Sequence, residues 1–88
     1  MTRTERLSRL LDEVVAILRT GEHDTSWSSF GSTAEAIAEL ESLRPRVAAG
    51  EAEALARFEF LCSPTGAIEE IAVSSGWSGR WLQLVRKI

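Results

Sequence analysis

With 88 residues, 44% of them apolar and 26% charged, the chain is too well supplied with core-forming residues for disorder and too short for a second core. The single cysteine, Cys62, excludes an internal disulfide and fits a reducing compartment. The net charge of −3 is unevenly spread, +1 over residues 1–20, −5 over 21–60 and +1 over 61–88, and an acidic middle disfavours nucleic acid as the main partner.

The opening residues, Met1-Thr2-Arg3-Thr4-Glu5-Arg6, lack a secretory pattern, and no apolar run approaches membrane length. The expectation is a cytoplasmic protein with no membrane partner. A first helix follows from Leu7, Leu10, Leu11, Val14, Ile17 and Leu18, whose spacing of three and four lines one helical face. Thr2 or Thr4 can cap its start, Gly21 marks its end, and Arg9 and Glu13 stand four apart on the outer face.

Residues 22–31 are polar, with Trp27 and Phe30 three apart. They suit a loop that tucks both rings over the core edge, or a single turn capped by Asp24 or Thr25 that offers the rings to a partner. Ser32 and Glu35 then spell a capping box for a second helix. Its apolar side reads Ala34, Ile37, Ala38, Leu40 and Leu43. Pro45 predicts a break or sharp kink near Arg44, since proline lacks a donor and biases the preceding residue away from helical angles; it can also open a short turn to Gly50.

A third helix is expected from about Glu51 to Leu61, with Glu51 and Glu53 complementing its dipole and Ala52, Leu55, Ala56, Phe58, Leu61 and Cys62 facing inward. Phe58 and Phe60 cannot share a face fully. Ser63-Pro64-Thr65-Gly66 reads as a type I turn. The following Ala67–Val73 stretch fits a helix capped by Thr65 better than a strand, because Ile68 and Ile71 would point to opposite sides of a strand. Ser74-Ser75-Gly76 ends it. A last helix starts at Trp77 or Ser78, buries Trp81, Leu84, Val85 and Ile88, and carries Arg86 and Lys87 at its C-terminal end. The predicted fold is therefore all-α, one domain over 1–88 with four to five short helices; the alternative is α+β with one short strand near 67–73.

Chemistry is thinly represented. A catalytic Cys62–His23 pair requires the fold to join the loop to the end of the third helix, whereas burial beside a turn explains Cys62 and solvation explains His23. One His, one Cys and scattered carboxylates give no metal-ligand spacing, and Gly76-Trp77-Ser78-Gly79 lacks the glycine spacing and lysine of a nucleotide loop. Glu69-Glu70 suits a helix start better than acid–base work. The expectation is a non-enzyme with no cofactor. Arg3, Arg6 and Arg9 recur at three-residue spacing but lie among acidic residues, as on a solvated face.

Surface recognition remains. Trp27 and Trp77 occupy Ser/Gly-rich contexts outside the apolar stripes, and Glu35, Glu39, Glu41, Glu51 and Glu53 make the middle acidic. Trp27, Glu35, Glu39, Glu41, Glu51 and Trp77 are thus the candidate partner-binding residues, for a protein with a basic surface. The run Ser63-Pro64-Thr65-Gly66-Ala67-Ile68-Glu69-Glu70-Ile71, followed by Ser74-Ser75-Gly76-Trp77 and Trp81-Leu82, resembles the C-terminal signature of small uncharacterised bacterial proteins, some of the toxin-immunity type. It covers only the C-terminal third, and where glycine is expected directly after the tryptophan this chain has Ser78 and then Gly79. The resemblance implies a toxin as partner and brings no catalytic residues. The alternative function is a homodimeric structural or regulatory module that pairs through the first or last helix.

Overall fold

The computed structural model describes residues 1–86, which form five helices and, among the described residues, no strand. The helices are α1 (Arg3–Leu18), α2 (Thr33–Ala48), α3 (Ala52–Leu61), α4 (Ala67–Ser75) and α5 (Ser78–Val85). The all-α prediction holds, and 67–73 is helical.

The first helix, α1, starts on a full capping box. The Glu5 N–H donates to Thr2 Oγ1 at 3.1 Å, and the Thr2 N–H donates to the Glu5 carboxylate at 3.2 Å. Leu7, Leu10, Leu11, Val14, Val15 and Leu18 are buried, while Ile17 is half-buried. Glu13 does not pair with Arg9; it takes Arg80 of α5 at 3.2 Å instead. Asp12 binds Arg44, Arg19 binds Glu41, and Arg3 binds Glu59, so ion pairs link α1 to α2, α3 and α5. Each pair is exposed and stabilises by at most about 1 kcal/mol.

Pro45 does not break α2. The helix runs from Thr33 to Ala48, with the Ala49 N–H bonded to the Pro45 carbonyl at 3.0 Å. Interior proline costs roughly 3 kcal/mol. The pyrrolidine ring faces solvent, however, and the flanking Leu43 and Val47 are both buried. Burying two such side chains contributes about 1.5–3 kcal/mol each, enough to carry the helix across. The continuation also moves the apolar stripe. Thr33, Ala36, Leu40, Leu43 and Val47 face inward, Ile37 is half-buried, and Ala34 and Ala38 are exposed. The expected capping box is half formed. Ser32 accepts the Glu35 N–H at 3.1 Å, but the Glu35 carboxylate reaches past Ser32 to the Gly31 N–H at 2.6 Å. A Cβ on Gly31 would stand 2.6 Å from that same carboxylate oxygen, so glycine admits the approach.

In α3 the buried side is Ala54, Phe58 and Leu61, continued by Cys62; Ala52 and Ala56 are exposed and Leu55 is half-buried. Phe58 sets this face, and Phe60 is left 66% exposed. Glu51 is the N-cap without a capping bond; its carboxylate chelates Arg46 across the α2–α3 turn at 2.6 and 3.0 Å. That guanidinium holds the Glu51 carboxyl below its usual range.

The Ser63–Gly66 turn closes with the Gly66 N–H on the Ser63 carbonyl at 2.8 Å. Thr65 has φ +59°, the left-handed value of the third residue in a type II turn, so the type I expectation is corrected. Nor does Thr65 cap α4. Its N–H donates to Glu69 at 3.1 Å, and Gly66 is the N-cap. Ile68, Ile71 and Ala72 bury, and Gly76 ends α4 in the left-handed conformation at φ +83°. That turn delivers α5, whose Trp81 is 1% exposed and, with Phe58, among the largest side chains of the core. Leu84 is buried, Val85 is half-buried, and the expectations for Lys87 and Ile88 fall outside the described residues.

Candidate functional site

The segment between α1 and α2 has no regular structure, yet it is densely bonded. The His23 N–H donates to the buried Thr33 hydroxyl at 2.9 Å, and that hydroxyl returns to the His23 carbonyl at 3.3 Å. The Asp24 N–H donates to Ser75 Oγ at 2.8 Å, which fastens the loop to the end of α4. Further along, the Ser26 N–H binds the Asp24 carboxylate at 3.0 Å and the Ser28 N–H binds the Thr25 carbonyl at 3.0 Å. The Ser26 hydroxyl and backbone N–H hold the Asp24 carboxyl below its usual range.

This framework separates the two loop aromatics. Phe30 tucks against the core, as the loop reading expected, whereas Trp27 is 76% exposed at the apex of the turn. Trp77 lies elsewhere. It is half-buried against the core, its Nε1–H donates to His23 Nδ1 at 3.2 Å, and the two rings meet edge to face at 6.0 Å.

Four of the acidic candidates are already occupied within the chain. Glu35 takes the Gly31 N–H, Glu39 binds Arg57 at 2.6 and 2.7 Å, Glu41 sits between Arg19 and Arg44, and Glu51 is held by Arg46. Glu53 enters no ion pair among the described residues. A basic partner would therefore meet a damped field at these positions, because each carboxylate already neighbours a donor.

Glu35 and Glu39 do share a surface. With Ser29 and Phe30 of the loop, Ala38 of α2 and Arg57 of α3 they line an open groove of ≈ 500 Å³. Glu41, Glu51 and Trp77 are not among the lining residues. The guanidinium of Arg57 also lies over the ring of Phe60, 5.8 Å from its centroid, which extends the groove toward an exposed aromatic. Neither Arg57 nor Phe60 was among the expected site residues. The signal available for them was Phe60's position two residues from Phe58, which turns it off the buried stripe, together with Arg57 one helical turn before it.

Cys62 is buried and free, and its thiol is pushed up to about 12 by burial and by the negative charge of Glu59. No hydrogen bond joins it to His23, whose ring is engaged by Trp77 and by the Ile17 carbonyl. Among the described residues no three His, Cys, Asp or Glu side chains converge as a metal site, and no helix is long and apolar enough to cross a membrane. The apolar face of α1 is consumed within the chain, whereas α5 leaves Leu82 48% exposed.

The molecule is thus a small helical bundle bearing one strongly exposed tryptophan on a loop whose Ser29 and Phe30 line a mixed-charge groove. No family model, curated protein or solved structure matches the chain.

Proposed function

We propose that this is a non-enzymatic protein-binding protein, of the kind that neutralises a toxin, and that Trp27 is its anchor. The observation that carries this reading is the combination of 76% exposure at Trp27 with a loop bonded to α1, α2 and α4 around it. An exposed aromatic on a loop whose backbone is already fastened needs less loop ordering when it enters a partner's pocket, so more of its burial appears as affinity. Glu35, Glu39 and Arg57 form a polar groove that also includes Ser29, two residues along the chain from Trp27, and Phe60 offers a second apolar contact. Glu41 and Glu51, held by arginines, and Trp77, held by His23, lie outside this groove and are not needed for the contact.

The test is calorimetric titration of the protein against the products of the genes encoded beside its own, with wild type and Trp27→Ala compared. A complex that weakens at least tenfold in the variant, about 1.4 kcal/mol, while the unfolding midpoint stays put, supports the reading. Absence of binding to any neighbouring product, or equal affinity for both forms, refutes it.

A further inference from the structure

The bonds around His23 determine which of its nitrogens carries the proton. The indole Nε1–H of Trp77 can only donate, so His23 Nδ1 must present a lone pair to it across 3.2 Å. The Ile17 carbonyl can only accept, so His23 Nε2 must carry the hydrogen across 3.0 Å. Both constraints select the same neutral tautomer, and together they join the last turn of α1 to the α4–α5 turn through one ring.

Protonation affects the two bonds differently. The Nε2–H bond to Ile17 survives and gains from positive charge at the C-terminal end of α1. At Nδ1 a second N–H appears facing the indole N–H, donor against donor, and that bond is lost. No ion pair among the described residues involves His23. Of the charged groups on the flanking elements, Arg19 at the C-cap of α1 pairs with Glu41 and Arg80 of α5 with Glu13. Of its chain neighbours, Glu22 is exposed and the Asp24 carboxylate accepts the Ser26 N–H. Ser75 of α4 and Thr33 of α2 contribute only neutral hydroxyls.

We infer that His23 is a proton-operated latch, which holds the Trp77 indole N–H when neutral and releases it when charged. Because the Thr33 and Ser75 bonds to the loop backbone do not depend on the ring, the loop stays fastened to α2 and to the end of α4, and only the Trp77 indole is released. The latch works in the free protein, so its failure would leave the partner-binding reading untouched.

The experiment is a ¹⁵N NMR titration from about pH 8 to about pH 5, the range in which histidine changes charge, following the indole N–H groups of Trp27, Trp77 and Trp81 and the ring hydrogens of His23. The Trp77 resonance is expected to move in one step with the His23 ring, while Trp81 stays fixed in the core. In His23→Gln the step should vanish with helical content unchanged by circular dichroism. A Trp77 resonance that stays still while the His23 ring titrates overturns the inference, as does a step that persists in His23→Gln. Should His23→Gln fail to fold, the wild-type comparison of the two resonances alone decides.

Discussion

Adjacent residues in the α3–α4 turn should respond to substitution with opposite signs. Thr65 carries φ +59°, which costs an L-residue about 1–2 kcal/mol, and its β-branching makes the region less tolerable still. Gly66 does not need a positive φ. Its lack of a side chain is required because a Cβ there would stand 2.7 Å from the Ser63 carbonyl oxygen, 2.9 Å from that of Leu61 and 3.1 Å from that of Phe60. All three are backbone atoms and cannot swing aside. Gly66→Ala must therefore open the turn and give up the 2.8 Å bond to Ser63, worth about 1 kcal/mol. With the disturbance to Leu61 and Ile68 beside it, a total loss of about 2–3 kcal/mol is expected. Thr65→Asn keeps a side chain that tolerates the left-handed region and should gain about 0.5–1 kcal/mol. Urea unfolding followed by tryptophan fluorescence reads both changes, at an unchanged m-value. If Gly66→Ala costs under about 0.5 kcal/mol while Thr65→Asn destabilises, the steric account of this turn is wrong.

Two further outcomes follow from the same geometry. Pro45→Ala restores a helix donor at an exposed position whose neighbours already hold helical shape; it should raise stability by about 1–3 kcal/mol, and a fall in the thermal midpoint would show that the proline is not strained. Cys62, with its thiol raised to about 12 by burial and Glu59, should react with a thiol reagent at about pH 8 at least ~100-fold more slowly in the native protein than in urea. The thiol stays protonated when folded but ionises near pH ~8.5 when unfolded. Its contribution to stability is therefore complete below that pH and declines as the pH climbs toward the folded value; rapid stoichiometric labelling of the native protein would contradict this.

What could be read in the sequence depended on whether a signal was local. The α1 stripe and the Trp81–Leu84 pair of α5 are set by spacing alone, and both bury except for Ile17, which is half-buried while Val15 takes a core place. Val47 is not legible from the sequence because Pro45 predicts a break or sharp kink near Arg44; once α2 continues, Ala36, Leu40, Leu43 and Val47 form a regular stripe. The acidic middle was legible as charge but not as pairing. Nothing in the local pattern says that Glu39 meets Arg57 or that Glu41 meets Arg19, since those partners lie 18 and 22 positions away. The same holds for His23 and Trp77, 54 positions apart. His23 reads as a solvated loop residue until the fold places an indole against it.

The central position of α1 bears on how the chain is made. Its six buried residues are synthesised before the helices that pack on α1, chiefly α2 and then α3. At a synthesis rate of ~5–20 residues per second, that face waits several seconds for its partners. During that interval the charged outer side of α1, with Arg3, Arg6, Arg9 and Arg19 among Asp12 and Glu13, is the part of the segment that favours water. A polar substitution spread across Arg3, Arg6, Arg9 and Arg19 would thus reduce soluble yield in the cell more than it lowers the stability of the finished fold.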